Sequence, residues 1–289
     1  MAQKQAEMPF FEHLEVLRWH LIRSIAAIFV FTIIAFLSKS FIFDTLLFGP
    51  KQANFWTYGM LCNLSDMLGM GKSLCLTPIA FEVINIEMAG QFMSHIQVSA
   101  VVGLIITFPY FLWEMWSFVA PALHEKEQNY ARYIVFFSSI LFFLGVLFGY
   151  YLMVPFSMNF LVDYQTSQFI ANKVTLDSYI SFLITLVLSS GLVFEMPIAV
   201  YFLSKVGLLT PKDMREYRRH ALLAIVFIAA IITPPDVMSQ MLVTIPMYLL
   251  YELSVFVSAM VLRNTQKQAL EEATEVDNNS QKSNLIDKP

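Results

Sequence analysis

One carboxylate lies well inside an apolar stretch of the sequence. Glu195 falls within the apolar run Tyr179–Leu203. A charged side chain at the centre of a bilayer is costly, and it usually faces protein or water and marks a functional site. The alternative is a protonated structural carboxyl that is hydrogen-bonded within a helix bundle. Pro197 leaves the carbonyl of Val193 without its helical donor, so the sequence predicts a bend near Glu195.

Two other acids border apolar runs at what we predict to be one membrane surface. Glu15 precedes the first run, and Glu127 follows the second. Because arginine pairs bidentately with carboxylates, two separated acids suit a ligand with two guanidinium groups. Simpler interpretations remain open: a local pair of Glu15 with Arg18, and a solvated loop charge for Glu127 beside Lys126.

The sequence shows no apparatus for enzyme chemistry. It contains no H-E-x-x-H, G-x-S-x-G or C-x-x-C motif, so we predict neither an enzyme nor a cofactor. An intramembrane hydrolase would need a nucleophile such as Ser189. A net charge of −4 gives no indication of nucleic-acid binding. The histidines lack metal-ligand spacing, and we expect them to be interfacial or solvated: His13, His20, His95, His124 and His220.

The elements that must position these acids are apolar runs. The chain is 57% hydrophobic and 14% charged, whereas soluble domains carry about 25% charged residues. We predict an all-α, multi-pass membrane protein with six transmembrane helices. The runs are Leu21–Leu37, Met93–Trp113, Tyr133–Met153, Tyr179–Leu203, Ala221–Ile232 and Ser239–Leu262.

The positive charges predict the orientation of these spans. With the N-terminus inside, 14 of the 18 lysines and arginines fall in inner segments, including every arginine. Because such residues stay on the cytoplasmic side during insertion, we predict both termini to be inside. The remaining four lie in outer segments: Lys39, Lys51, Lys72 and Lys173.

The same pattern predicts the domain boundaries. Residues 1–20 form a cytoplasmic segment with an interfacial helix, 21–262 the membrane domain, and 263–289 a disordered cytoplasmic tail. We predict outer loops at about 38–92, 154–178 and 233–238, and inner loops at about 118–131 and 204–220. Thr210-Pro211-Lys212-Asp213 is typical of a helix start.

The fifth run is short, since Ala221–Ile232 covers about 18 Å of helix against a hydrocarbon core of about 30 Å. Pro234 and Pro235 end it. We predict local thinning of the bilayer, the alternative being an extension of the helix by its flanking residues. Cys62 and Cys75 both lie in the first outer segment, where an oxidising exterior permits a disulfide; two free thiols are the alternative.

Four segments together resemble one known family. They are His13-Leu14-Glu15-Val16-Leu17-Arg18, the stretch from Trp116 through Pro121 to Glu127, Phe194-Glu195-Met196-Pro197, and the stretch from Thr233-Pro234-Pro235-Asp236 through Gln240 to Pro246. In this order, from about residue 9 to residue 262, they resemble the TatC family, the signal-peptide receptors of the twin-arginine protein translocase.

The resemblance implies six helices in a concave, glove-like bundle with two short final helices, located in the plasma (inner) membrane. It implies a receptor and core subunit that binds Arg-Arg signal peptides at its cytoplasmic face and exports folded proteins with the proton-motive force. The implied partners are single-span TatA- and TatB-like proteins, membrane lipid, and further copies in a TatB–TatC complex. A proton-coupled transporter of a small solute that uses Glu195 is the alternative function.

The resemblance also assigns residues. It implies signal-peptide binding by Glu15, Arg18, Phe118, Pro121 and Glu127. It implies intramembrane or partner-binding roles for Glu195, Asp236 and Gln240, and structural roles for Pro50, Pro197, Pro234 and Pro235. Glu114 stands where the family often has a neutral amide, and we expect this extra acid to strengthen the attraction for a dibasic peptide.

Overall fold

The chain is built of helices that run alongside one another, and two short strands pair at one end. The computed structural model describes residues 10–67, 69, 75, 81–119, 131–164, 167, 173–233 and 237–286. Its α-helices are α1 (Phe10–Leu37), α2 (Trp56–Met67), α3 (Gly90–Val119), α4 (Ala131–Phe148), α5 (Val154–Asp163), α6 (Leu176–Phe194), α7 (Met196–Lys205), α8 (Pro211–Glu216), α9 (Arg218–Ile232) and α10 (Val237–Ile286). The strands are β1 (Val83–Ile84) and β2 (Val174–Thr175), which are parallel.

Five stretches of the described helices are long and apolar enough to cross a membrane: Leu14–Leu37, Gly90–Phe118, Tyr133–Val162, Leu176–Lys205 and Gln240–Asn264. The remaining predicted run lies in α9, which has 15 residues and is therefore about 22 Å long. The expected shortness of this helix is confirmed. The resemblance also implies a short last helix, and there the expectation is wrong: α10 has 50 residues, and its apolar stretch Gln240–Asn264 has 25. The count of six spans and the orientation stay predictions. Below, "inner" means the end predicted to face the cytoplasm, "outer" means the opposite end, and the outer cap means residues 41–67 after the first span.

Two predicted boundaries differ from the structure. The segment before residue 20 is continuous with the first span in α1, because no proline or glycine interrupts residues 10–37. The third run does not end at Met153. It passes through a π-helical turn, Gly149–Met153, into α5. Pro155 lies in the first turn of α5, a position where a residue without a backbone N–H donor is tolerated.

The C-terminal segment also differs from its prediction. The sequence predicts a disordered tail from residue 263, whereas α10 continues as one helix to Ile286. Residues 263–286 contain no proline or glycine, and Gln, Glu, Ala and Lys are frequent up to Val276, so backbone propensity favours the helix in that part even though it is polar.

Small residues let the long helices approach closely. A Cβ atom added to Gly103 of α3 would lie 2.7 Å from the backbone nitrogen of Thr32 in α1. A Cβ atom on Gly145 of α4 would lie 2.6 Å from the carbonyl oxygen of Ser190 and 2.9 Å from the Cα of Gly191 in α6. Such contacts between small residues are typical of packed membrane helices.

Two tyrosine hydroxyls form hydrogen bonds between the long helices and the outer segment that follows the first span. Tyr150 donates to the carbonyl of Leu46 over 2.7 Å, and Tyr179 donates to that of Leu47 over 2.6 Å. Both acceptors lie in a π-helical segment, Phe41–Leu47, that follows the first span. The outer cap is therefore held by side chains of the third and fourth spans.

The first outer loop contains the predicted structural proline and both cysteines. Pro50 is buried in a 3₁₀ turn, Gly49–Lys51, and its carbonyl accepts a 2.7 Å hydrogen bond from Tyr58 in α2. Burial raises the pKa of Tyr58, so its hydroxyl remains a donor at neutral pH. Cys62 and Cys75 are joined by a disulfide.

Candidate functional site

A buried carboxylate joins the inner ends of α1 and α3. Glu114 is only 6% exposed, and each of its oxygens has a partner. Oε1 accepts a 2.6 Å hydrogen bond from the hydroxyl of Tyr110, one turn earlier on α3. Oε2 pairs with Nδ1 of His20 on α1, 94 residues away in sequence. We call Tyr110, Glu114 and His20 the α1–α3 carboxylate cluster.

The surroundings of this cluster link it to the predicted peptide site. Arg23, three residues after His20, interacts electrostatically with Glu114. On the other side, the ring of His20 meets that of Phe118 edge-on, with the ring centroids 6.4 Å apart. Phe118 therefore lies beside the cluster, as one of the residues to which the sequence assigns peptide binding.

Glu15 and Arg18 are exposed on α1 and do not join the cluster. Glu15 precedes His20 by five residues, which at 3.6 residues per turn places it about 140° around the helix. Neither side chain forms an ion pair with another described residue, so the local Glu15–Arg18 pair is not formed. The acid that the structure holds between α1 and α3 is Glu114.

Several predicted site residues lie outside the part of the chain that the structure describes. These are Pro121 and Glu127 in the first inner loop, and Pro234, Pro235 and Asp236 in the turn between α9 and α10. The convergence of Glu15 with Glu127 therefore stays a prediction.

Glu195 lies between two helices, at the position where the sequence predicts a bend. α6 ends at Phe194, and α7 begins at Met196 with Pro197 in its first turn. Oε2 of Glu195 accepts a hydrogen bond from Ser138 of α4, while its buried Oε1 has no hydrogen-bond partner among the described residues. The close approach of Gly145 and Gly191 aligns α4 with α6 so that these two side chains meet.

The last two helices carry a second polar pair that the sequence did not predict. Arg218, at the start of α9, donates to Glu252 of α10 over 2.7 Å, and both side chains are partly exposed. Tyr248 donates to the other oxygen of Glu252 over 3.1 Å. Towards the outer end, the side-chain amide of Gln240 donates to the carbonyl of Val226 over 3.2 Å, linking α10 to α9.

Two of the histidines predicted to be interfacial or solvated are not solvated. His20 is partly buried in the α1–α3 carboxylate cluster, and His95 is 8% exposed and stacks on Phe36 with ring centroids 3.9 Å apart. Both contacts are made across α1 and α3, so the local sequence carries no signal for them. The i, i+4 spacing of Tyr110 and Glu114 on one helix face was the only available indication of the cluster.

The described residues contain no group of three or more His, Cys, Asp or Glu side chains that could hold a metal ion. What they offer is carboxylates at two depths: one set near the inner surface and one at the break between α6 and α7. The exposed carboxylate of Glu15 can bind a cationic group, and Glu195 accepts a hydrogen bond from Ser138. Together with the apolar helices, these features define a multi-pass α-helical membrane protein.

Comparisons with known proteins identify the family. The profile described as "Sec-independent protein translocase protein (TatC)" matches residues 12–246. A Sec-independent protein translocase protein TatC of Blattabacterium sp. subsp. Periplaneta americana (strain BPLAN) is 38% identical over 259 residues, which is 89% of this chain and 97% of that protein. The TatC of Aquifex aeolicus (strain VF5) is 33% identical over 261 residues, covering 90% and 98% of the two chains.

Solved structures agree with this result. A crystal structure of the twin-arginine translocase receptor TatC matches with a TM-score of 0.65 and 33% identity, over 87% of this chain and all of that one. A second crystal structure of that receptor, in DDM, matches with a TM-score of 0.66 and 34% identity over 86% of this chain. The chain belongs to the TatC family of Sec-independent protein translocase proteins.

Proposed function

We propose that this protein is the receptor and core subunit of a twin-arginine translocase. The observation that carries the proposal is the match of 87% of the chain to a crystal structure of the twin-arginine translocase receptor, at 33% identity. The acidic and aromatic residues at the inner ends of α1 and α3 are compatible with this role, because they can receive a cationic peptide from the cytoplasm.

The proposed peptide site consists of Glu15, Arg18, Phe118, Pro121 and Glu127. Glu15 is exposed on α1, so its carboxylate is accessible to a guanidinium. A guanidinium presents a planar set of N–H donors that fits a carboxylate bidentately, whereas an ammonium binds as a point charge. The site should therefore discriminate paired arginines from paired lysines. In the proposed site, Glu127 provides the second carboxylate for the pair of arginines.

The proposed partners are single-span TatA- and TatB-like proteins, assembled with several copies of this chain. Glu195, Asp236 and Gln240 are the proposed polar contacts for their helices. Glu195 is partly exposed at the break between α6 and α7, which supports this assignment, because a partner helix can approach it there. In this proposal, the proton-motive force drives the export of folded cargo.

Site-specific photocrosslinking tests the proposal. A photoreactive residue at Ser117, next to Phe118, should crosslink to a signal peptide with paired arginines at least several-fold more than to the same peptide with paired lysines. The charge reversals Glu15→Lys and Glu127→Lys should abolish the crosslink while the protein still inserts. Equal yields for both peptides would leave only generic charge attraction and contradict a twin-arginine receptor.

A further inference from the structure

We propose that Glu114 is a positioning residue of the peptide site: its carboxylate fixes His20 and the inner end of α1 beside Phe118, and it does not itself bind the peptide. This inference rests on the proposed receptor function. It differs from the expectation drawn from the sequence, in which Glu114 attracts the dibasic peptide as one more negative charge.

The engagement of the carboxylate is the first reason. Glu114 is 6% exposed, one oxygen accepts from Tyr110, and the other pairs with His20. A peptide guanidinium would have to enter a buried position and compete with both partners. The nearby Arg23 also opposes a second cation there, since it already interacts electrostatically with Glu114.

The alignment of side chains along α3 is the second reason. Tyr110, Glu114 and Phe118 follow one another at intervals of four residues and therefore lie on one side of the helix. His20 contacts two of them, through its Nδ1 to Glu114 and through its ring edge to Phe118. The imidazole thus connects the buried acid to the aromatic side chain of the proposed site.

The backbone at His20 has a further hydrogen bond within α1. The hydroxyl of Ser24, one turn later on α1, donates to the carbonyl of His20 over 2.9 Å, and Ser24 is buried. Loss of Glu114 would remove the acceptor that His20 and Tyr110 share; His20 is partly buried, whereas Tyr110 is 40% exposed. Since His20 lies on α1, the inner end of that helix, which carries Glu15 and Arg18, would lose its polar anchor to α3.

Substitutions at Glu114 separate positioning from charge. In Glu114→Gln, the amide oxygen can accept from Tyr110 and the amide nitrogen can donate to a neutral His20, so the geometry is kept and the charge is lost. In Glu114→Ala, both contacts are lost. Glu252→Ala is the matched control, because it removes a carboxylate that also binds a cation and a tyrosine, but at the α9–α10 contact.

The measurement is the affinity of the full-length protein in detergent for a fluorescent twin-arginine peptide, with thermal unfolding recorded for each variant. We expect Glu114→Gln and Glu252→Ala to bind within about twofold of wild type. We expect Glu114→Ala and His20→Ala to bind about tenfold more weakly, because binding must then also order the inner end of α1. The double variant Glu114→Ala/His20→Ala should bind no more weakly than Glu114→Ala alone, because the two substitutions remove the same contact.

Each other outcome is decisive. Binding by Glu114→Gln as weak as that of Glu114→Ala would show that the charge itself is needed and overturn the positioning role. Wild-type affinity of a folded His20→Ala protein would overturn it too, even if Glu114→Ala failed to fold. If the wild-type protein bound arginine and lysine peptides equally, the proposed receptor function would fail, and this inference would fail with it. If the wild-type protein preferred the arginine peptide but the variants behaved as just described, only the positioning role would fail.

Discussion

The close approach of α4 and α6 aligns Ser138 with Glu195. The substitution Gly145→Ala, which adds a single methyl group, should disturb this packing. A Cβ at this position would lie 2.6 Å from the carbonyl oxygen of Ser190, 2.8 Å from the Cβ of Phe194 and 2.9 Å from the Cα of Gly191. Two of these three atoms belong to the backbone, so no side-chain rotation can relieve the contact. The helices must separate instead.

The size of the effect follows from these distances. Ordinary contacts of a Cβ atom begin at 3.4 Å, so Gly145→Ala forces α4 and α6 apart by several tenths of an ångström. Overpacking of this kind typically costs about 1–3 kcal/mol. Because Phe194 directly precedes Glu195, the separation should also weaken the hydrogen bond from Ser138 to Glu195.

Gly59 provides the control for this prediction. It also lies within a helix, α2, and a Cβ added there meets no atom within 4 Å. Both substitutions gain about 1 kcal/mol of helix propensity, so the difference between them isolates the clash. In unfolding experiments in detergent, Gly145→Ala should be about 1–3 kcal/mol less stable than Gly59→Ala. Equal stability of the two variants would refute the close-packing argument.

The other predictions concern three separate contacts. Glu195→Gln retains an acceptor for Ser138, so we expect a free energy of unfolding within about 1 kcal/mol of wild type. Photocrosslinking to single-span partners should become weaker, and unchanged crosslinking would count against a partner role. For the partly exposed pair of Arg218 and Glu252, a double-mutant cycle on unfolding should give a coupling of at most about 1 kcal/mol, and a larger value would show that the pair is desolvated. Replacement of either cysteine of the 13-residue disulfide loop by serine should destabilise the outer cap by about 2–4 kcal/mol and speed its proteolysis, whereas unchanged proteolysis would show that the disulfide is dispensable.

Features encoded by neighbouring residues could be predicted from the sequence. Thr210 caps α8 as expected, with its hydroxyl accepting from the backbone nitrogen of Asp213 over 3.2 Å. Pro197 lies in the first turn of α7, directly after the predicted break. Both signals depend on the geometry of a single helical turn, so they are visible without any knowledge of the tertiary fold.

Contacts between distant helices could not be predicted in this way. Ser138 and Glu195 are 57 residues apart, and His20 and Glu114 are 94 apart. Whether two such polar residues meet depends on the register of two packed helices, which small residues such as Gly103 and Gly145 set. The sequence showed that Glu195 needs a partner in the membrane, but the helix packing decides that the partner is Ser138.

The shortness of α9 is explained by the position of its inner end. Ser204, near the inner end of α7, donates to Ser258 of α10 over 2.7 Å, whereas Arg218, the first residue of α9, binds Glu252 of the same helix. Six residues of α10 separate these two levels, which corresponds to about 9 Å along its axis. α8 lies against the same helix, because Tyr251 of α10 donates to the carbonyl of Met214 over 2.6 Å. The chain therefore returns about 9 Å towards the middle of the bundle before α9 begins. This distance is similar to the difference of about 8 Å between the length of α9 and the thickness of a hydrocarbon core.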